Sequence, residues 1–434
     1  MKRLVLKNIR VFDPGAGLDA ADRTVVLSGG RVVSLDAPEE SPGDRIIDGR
    51  GKLLIPGLID LRTHVCEPGF TRREKVSTAA RAAAAGGFTS IVAMPTTSPT
   101  IDQPQVVELL LARAREAGST RVWPAGALSV GRKGERLAEM AILKESGCVA
   151  FTDVDRAIKD SQLLRYALEL ASDIGAPVMT HAEDETLSLG GVMHEGMVSE
   201  RLGLAGVPGA AEVVGVSRDI AIAELTKCRL HIGHVSTAAA VELIREAKRR
   251  GIRVTAEVSP LHMLLSDESV IGYDTSAKVF PPLRPSSDVA AVVAGLSDGT
   301  IDCVASDHNP QMELEKNHEF DRAAAGAITL ETTLAVSLSL VRQGKITLER
   351  AIATLTRAPA QILGMPELGR IKEGGPADVA IIDLERRWTV TRSQLFSRSH
   401  NTPLLGRTFV GRAIMTVVGG KITFEADEPE AASS

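Results

Sequence analysis

The chain has 434 residues, of which 44% are hydrophobic and 24% are charged, as expected for a globular protein with a large buried core. A net charge of -5 and an aromatic share of only 3% argue against a nucleic-acid surface, which needs basic side chains and stacking rings. No apolar run approaches the roughly 20 residues that cross a bilayer, and the first residues lack a signal-peptide pattern, so we expect a cytoplasmic protein without membrane contact.

Short β-type segments separated by turns occupy the first part of the chain, up to residue 54. They are LVLKNIRVFDPGAG, RTVVLSGGRVVSLD and RIIDGRGKLL. Residues 370–434 show the same pattern in GRIKEGGPADVAIIDL and AIMTVVGGKITFE. Two β-rich ends that flank a larger unit most simply pair with each other. Residues 1–54 and 370–434 are therefore predicted to form one small discontinuous β-sandwich domain.

Between these ends, short apolar runs alternate with segments whose apolar residues recur at the helical period. Eight such runs occur: LLIPGLIDLRTH, TSIVAMP, RVWPAGAL, GCVAFTDV, APVMTHAE, RLHIGHVS, RVTAEVSP and IDCVASDHNP. Continuous apolar strands that alternate with helices are typical of a parallel sheet buried on both faces, and eight such units over about 250 residues fit a closed (β/α)8 barrel. We predict that this α/β barrel covers residues 55–369.

Polar residues that can bind a metal or carry a proton close five of these apolar runs. They are His64, Asp153, His181, His234 and Asp307. The carboxyl ends of barrel strands all open on one face, where the chemistry of such barrels lies. We therefore expect these side chains to converge on one site.

The motifs at the ends of the runs resemble, in order, the strand-end motifs of bacterial type I dihydroorotases. They are PGLIDLRTHVCEPG, AAAAGGFTSIVAMPTTSP, VAFTDV, THAEDETL, HIGHVST, VTAEVSPLHMLLSDE, KVFPPLR and GTIDCVASDHNPQ, and NTPLLGRTFVGRAIMTVVGGK is similar too. The resemblance covers nearly the whole chain and implies an amidohydrolase-type barrel. It also implies a cyclic amidohydrolase of pyrimidine synthesis, which interconverts dihydroorotate and N-carbamoyl-aspartate with water activated by one or two zinc ions.

The resemblance assigns metal ligands and a proton shuttle residue by residue. His64, His181, His234 and Asp307 match ligand positions, and Asp307 also matches the catalytic residue that moves the proton. Together they are expected to hold one zinc ion at most. The alternative is that they are hydrogen-bonded remnants in a polar pocket without metal.

Two other metal positions of the family are altered in this sequence. Arg62 replaces the first histidine of the family's His-x-His, and a guanidinium repels a metal and cannot coordinate it. Val154 falls where the family has the aspartate that bridges two metals, although Asp153 and Asp155 flank it. We expect Arg62 to form an ion pair with Asp307 in place of the metal.

The positions that the resemblance assigns to substrate recognition also differ. Cys66, Thr96, Phe280 and Gln311 stand where the family has an arginine, two asparagines and a histidine. Removing a charged hydrogen bond to an anionic substrate costs about 1.5–3 kcal/mol, so we expect much weaker binding of dihydroorotate. Cys66 near His64 also allows a thiolate nucleophile, against the simpler interpretation of a small apolar filler.

Two classes of function follow from these changes. In the first, the chain is a non-catalytic dihydroorotase homologue and a structural partner of aspartate transcarbamoylase, as the resemblance of AREAGSTRVWPAGALSVGRKGERLAEM and KESGCVAF to an inactive branch of the family implies. In the second, it is an active zinc-dependent cyclic amidohydrolase with a remodelled site. The altered metal positions favour the first class, because a change of substrate alone would spare them. A homo-oligomer is expected in either case.

Overall fold

A computed structural model of the protein describes residues 3–36 and 41–427. Parts of the predicted β-sandwich domain, namely residues 1–2, 37–40 and 428–434, lie outside the described residues. None of the helices in the described ranges is long and apolar enough to cross a membrane.

The strands of the described residues are numbered in chain order. β1 to β9 are Leu4–Asp13, Leu18–Ser28, Arg31–Ser34, Arg45–Asp48, Leu53–Pro56, Leu58–Thr63, Phe88–Ala93, Arg121–Gly126 and Ala150–Phe151. β10 to β18 are Val178–Thr180, Met193–His194, Gly206–Val207, Leu230–Ile232, Val254–Val258, Cys303–Val304, Val379–Thr389, Thr408–Val418 and Lys421–Glu425. They form two large sheets and one small sheet of β11 and β12.

The α-helices are numbered in the same way. α1 to α7 are Val76–Ala85, Pro104–Ala117, Met140–Glu145, Ser161–Asp173, Glu185–Ser188, Met197–Leu202 and Gly209–Thr226. α8 to α14 are Ala238–Arg249, Pro260–Leu264, Ser286–Asp298, Glu313–Lys316, Thr333–Arg342, Leu348–Leu355 and Arg357–Leu363. Most of them follow a strand of the barrel, as the alternating sequence pattern predicts.

Helix α4 shows how the sequence directs these helices onto the barrel. The Asp160 side chain caps its first turn by accepting a hydrogen bond from the backbone nitrogen of Gln162. Its buried residues are spaced to lie on one face of the helix, and they are Leu164, Ala167, Leu168 and Ala171. The apolar face therefore packs inward, while polar residues cover the outside.

Eight parallel strands form the barrel. They lie side by side in the order β6, β7, β8, β9, β10, β13, β14 and β15. A parallel bridge joins Thr63, at the end of β6, to His308, just after β15, and the His64 amide donates a hydrogen bond to the His308 carbonyl over 2.8 Å. The first and last strands thus meet at the barrel mouth. The predicted (β/α)8 barrel is confirmed.

The two ends of the chain form the second large sheet. Its strand order is β18, β17, β16, β5, β1, β2 and β3, and β4 pairs with β1. β16 runs antiparallel to β5, with Val379 opposite Pro56. One apolar cluster joins residues from both ends, among them Leu6, Leu54 and Val417. β5 crosses the predicted boundary at residue 54, and the division of the chain into two domains stays a prediction.

Candidate functional site at the barrel mouth

A cavity of about 350 Å³ opens at the barrel mouth. Six residues predicted from the sequence line it: His64, Cys66, Thr96, Phe280, Asp307 and Gln311. The lining also includes Phe70, Arg73, Arg132, Asp155, Asn309, Ala325 and Gly326. The remaining predicted residues, Arg62, Val154, His181 and His234, are buried and do not belong to this lining. The structure therefore brings six of the ten predicted residues to the wall of one cavity.

Arg62 lies on β6 and its side chain is fully buried. Its Nε is 2.5 Å from Oε1 of Glu257 on β14, and both groups are inaccessible to solvent. The second carboxylate oxygen of Glu257 is 3.0 Å from Nε2 of His231. The predicted ion pair between Arg62 and Asp307 is wrong, because Glu257 is the nearer carboxylate inside the barrel and binds the guanidinium.

The terminal nitrogens of Arg62 are in an unusual environment. Both are buried, and neither has a hydrogen-bond partner among the described residues. A Cβ at Gly233 would lie 2.0 Å from Nη2, so the chain after β13 accommodates the guanidinium only because residue 233 has no side chain. Glycine at residue 233 therefore leaves the space that the Arg62 guanidinium fills.

Burial and the charge of Arg62 set the protonation of the neighbouring site residues. Burial lowers the pKa of His64 to about 4, and Arg62 adds to this effect while Asp155 opposes it. Burial and then Arg62 lower the pKa of His234 well below its ordinary value. Burial raises the pKa of Asp307 well above its ordinary value, although Arg62 acts against this. Burial therefore favours the neutral forms of both histidines and of Asp307.

His181 and His234 contact each other below the cavity. Nδ1 of His181 is 3.0 Å from Nε2 of His234, and Nε2 of His181 is 3.3 Å from a carboxylate oxygen of Glu183. The Phe280 ring packs against His181 with 5.4 Å between ring centroids. Two predicted metal ligands are thus brought together, and an aromatic ring covers one of them where the family has an asparagine.

His64 faces the cavity with one hydrogen-bond partner and one nearby carboxylate. Its Nδ1 is 2.7 Å from the Thr96 hydroxyl, and its Nε2 is 3.7 Å from the Asp155 carboxylate. The neighbouring Cys66 is buried, and burial raises the pKa of its thiol to about 12. Because Cys66 is protonated at neutral pH, the site favours the apolar-filler interpretation of this residue over the nucleophile.

The segment after β9 decides which carboxylate enters the site. Asp153 turns away, and its carboxylate accepts hydrogen bonds from the backbone nitrogens of Leu128 and Ser129 over 2.8 and 3.1 Å. Val154 is buried in an apolar cluster of the barrel interior and offers no lone pair. Asp155 lines the cavity, so a carboxylate reaches the site from one residue beyond the position predicted for the bridging ligand.

Three residues of the site have a backbone conformation that side chains rarely adopt. Cys66, His234 and Asp307 have φ values of 57°, 36° and 53°. Non-glycine residues in this region each cost about 1–3 kcal/mol and cluster at active sites and ligand-binding positions. The backbone at these three residues therefore has the conformation that is typical of functional sites.

Known proteins resemble this chain in both sequence and fold. The family model described as dihydro-orotase-like matches residues 51–240. A dihydroorotase of Anaeromyxobacter dehalogenans (strain 2CP-1 / ATCC BAA-258) is 49% identical over 430 residues, which cover 98% of this chain and 99% of the relative. A dihydroorotase of Pelobacter propionicus is 46% identical over 422 residues, or 97% and 99% of the two chains. The chain belongs to the dihydroorotase family.

Solved structures confirm the fold. An L-hydantoinase from Arthrobacter aurescens superimposes with a TM-score of 0.86 at 24% identity, covering 99% of this chain and 98% of the other. A dihydropyrimidinase from Brevibacillus agri NCHU1002 gives a TM-score of 0.85 at 24% identity, covering 98% and 95%. At this identity the likeness establishes an amidohydrolase-type barrel and no more.

The dihydroorotase family is generally zinc dependent, so the donors present can be compared with a zinc shell. Among the described residues, only His231, Glu257 and Cys303 bring three ligand atoms within 4.8 Å of one another. Both Glu257 oxygens are already engaged by Arg62 and His231, and burial raises the pKa of Cys303 well above its ordinary value. The predicted ligands His64, His181, His234 and Asp307 do not form such a group. Nε2 of His64 and Nε2 of His181 are buried without a hydrogen-bond partner among the described residues, so two donor atoms are free. As arranged, however, the four side chains do not form the compact shell of a zinc ion.

Glu257 was missed in the sequence, and Asp155 was named there only as one of two carboxylates flanking Val154. Glu257 lies inside the apolar run RVTAEVSP, and a single acidic residue in a barrel strand was the available signal. Asp155 stands out in the sequence only as a neighbour of Val154. Both are carboxylates whose partners come from distant parts of the chain, so local sequence patterns did not identify those partners.

Proposed function

We propose that this chain is a dihydroorotase homologue without zinc-dependent hydrolase activity. The observation that carries the proposal is the buried Arg62 guanidinium, held by Glu257 where the family has its first metal-binding histidine. A guanidinium has no lone pair with which to coordinate a metal, so the first ligand of the family's shell is lost at residue 62. The Glu257 carboxylate offsets part of the Arg62 charge, and the remaining donors would have to hold an ion without that first ligand.

The polar groups of the cavity support the same conclusion for substrate binding. Arg73 donates to both oxygens of Glu315, at 3.0 and 2.9 Å from Nε, and Arg132 donates to the Val154 carbonyl. Both guanidinium groups of the cavity wall therefore already have oxygen partners. Asp155 adds a negative charge next to them. An anionic cyclic amide such as dihydroorotate would meet weak recognition here.

A metal analysis combined with an activity assay tests this proposal. We expect the purified chain, prepared with added zinc, to contain far less than one zinc per chain and to show no ring opening of dihydroorotate. The matched variant is Arg62→His combined with Glu257→Gln, which restores the His-x-His pattern without leaving a buried carboxylate unpaired. Its zinc content should rise above that of the wild type. Stoichiometric zinc with turnover in the wild type would overturn the proposal.

A specific observation favours a second candidate, an active dihydroorotase. The relatives that are 49% and 46% identical over nearly their whole length are both called dihydroorotase, and His64, His181, His234 and Asp307 are present. This candidate requires a single zinc ion held by these four residues without a ligand at residue 62. The same assay distinguishes the two, because only the active enzyme would open the dihydroorotate ring.

We also propose, from the family resemblance alone, that the chain is a structural partner of aspartate transcarbamoylase. Co-expression of the two proteins of the same organism tests this. We expect them to co-purify at a fixed ratio, and the transcarbamoylase to be less active when expressed alone. Separate elution on size exclusion, with unchanged transcarbamoylase activity, would contradict the proposal. The same chromatography gives the oligomeric state of the chain.

A further inference from the structure

A second cavity, of about 560 Å³, lies beside the barrel mouth. It forms where the chain between β16 and β17 crosses the segments that follow β6 and β15. We call it the basic cleft and define it by Arg72, Lys316, Arg392 and Arg398. Gln311 lines both the basic cleft and the cavity at the mouth, so the two cavities share a wall.

The basic cleft concentrates positive charge on a chain whose net charge is -5. Its lining contains the four basic side chains that define it and one acidic side chain, Glu313. Arg392 is 3.3 Å from Glu313, but both groups are largely exposed, so solvent screens this pair. Among the described residues, no carboxylate lies within ion-pairing distance of Arg72 or Arg398. Their charges are therefore available to a ligand.

The backbone positions these charges. Arg398 Nε donates to the Arg72 carbonyl over 3.1 Å, which ties the two segments together and leaves the terminal nitrogens of Arg398 for other contacts. Lys316 Nζ donates to the carbonyls of Lys278, Ala324 and Gly326 over 3.3, 2.8 and 2.9 Å, so its ammonium group is fixed in the wall and contributes charge without a free hydrogen bond. Burial lowers the pKa of Lys316 to about 7, and a bound anion would favour its charged form.

Gln311, in the wall shared by the two cavities, carries an unpartnered hydrogen-bond acceptor. Gln311 is only 5% exposed, and its side-chain nitrogen donates to the Asn309 side chain over 2.9 Å. Its carbonyl oxygen has no hydrogen-bond partner among the described residues. A buried acceptor without a donor is costly, and a ligand hydroxyl group is one donor that would satisfy it.

We propose that the basic cleft binds a phosphorylated small molecule, with its phosphate group held by Arg72 and Arg398. Guanidinium forks match the oxygens of a phosphate, and a multivalent anion gains more from several cations than a single carboxylate does. The cavity volume lies in the usual range of small-molecule sites, about 300–1,000 Å³. The proposal does not depend on whether the barrel mouth is catalytic.

Calorimetric titration of the full chain at low salt tests the proposal with three probes: pyrophosphate, ribose 5-phosphate and citrate. We expect both phosphates to bind once per chain and to bind more weakly as salt is added. Arg72→Ala and Arg398→Ala should each weaken binding by about tenfold or more, since each removes a charged hydrogen bond. Glu313→Gln should strengthen it, because it removes the only carboxylate of the lining.

The control is Arg115→Ala, an exposed arginine of α2 outside the cleft, which should bind both phosphates as the wild type does. The substituted arginines are exposed, so the variants are expected to fold, and circular dichroism checks this. The absence of phosphate binding, or equal weakening by Arg115→Ala, would overturn the proposal. Citrate binding as tight as that of pyrophosphate would overturn the assignment to phosphate.

Discussion

Replacing Arg62 with methionine measures the contribution of the buried ion pair. The variant keeps a long apolar side chain but leaves the Glu257 carboxylate without its cation. Burial alone would raise the pKa of Glu257, but Arg62 and His231 outweigh it and lower the pKa from 4.5 to about 2, which corresponds to about 3 kcal/mol. Removing one partner of a buried pair typically costs about 3–5 kcal/mol. We therefore expect Arg62→Met to lower the free energy of unfolding by about 3–5 kcal/mol near neutral pH.

The pH dependence gives this prediction a definite sign. The pKa of Glu257 is lower in the folded protein than in the unfolded chain, so its stabilisation is present above about pH 4.5 and is lost as the pH falls towards 2. The stability difference between wild type and Arg62→Met should therefore narrow in acid. Urea unfolding followed by circular dichroism at several pH values measures it.

Two further variants separate charge from packing in this test. Adding Glu257→Gln to Arg62→Met removes the unpaired buried charge and should recover most of the lost stability. Arg115→Met, at an exposed position of α2, should leave the unfolding midpoint unchanged. If Arg62→Met unfolds at the same urea concentration as the wild type, or if Glu257→Gln recovers nothing, the ion pair does not have the role inferred here.

Two other predictions concern Gly233 and Glu331. Gly233→Ala should lower the free energy of unfolding by about 1–3 kcal/mol, because its Cβ would lie 2.0 Å from Arg62 Nη2. Thermal unfolding measures this loss. If Gly233→Ala costs as much stability in an Arg62→Met background, the contact with Arg62 is not the cause. Burial raises the pKa of Glu331 to about 8, although the Ser397 and Phe396 amides donate to it. The wild type should lose stability as the pH rises from about 4.5 to 8, because the unfolded chain releases this proton first. Glu331→Gln should flatten that decline in urea unfolding, and parallel curves would refute the assignment.

The barrel could be predicted from sequence because its signal is local and repeated. Each apolar run supplies one strand of the barrel, as TSIVAMP does for most of β7, and a segment with the helical period follows it. Covering both faces of a parallel sheet requires this alternation, so the order of elements implies the architecture. The pairing of the chain ends followed from the same reasoning, since two short β-rich segments need each other to complete a sheet.

The side-chain pairs inside the barrel could not be predicted in the same way. Arg62 is recognisable in the sequence as a cation at a metal position, but several carboxylates are available to it, and the family pattern favours Asp307. The structure pairs Arg62 with Glu257, 195 positions further along the chain. Val154 shows a second limit, since β9 ends at Phe151 and strand alternation no longer determines which of the following side chains enters the cavity.

The histidines of the site each contact at least one protein group. His64 contacts the Thr96 hydroxyl, and His181 lies between His234 and the Glu183 carboxylate. A buried imidazole needs such partners, whether or not a metal was ever present. Replacing any one of them would leave the other member of its pair unsatisfied, at a cost of about 1–3 kcal/mol. These contacts satisfy Nδ1 of His64 and Nδ1 of His181, whereas Nε2 of each ring is buried without a hydrogen-bond partner among the described residues. Those two nitrogens are the donors that the metal analysis probes, because no hydrogen bond from the described residues occupies them.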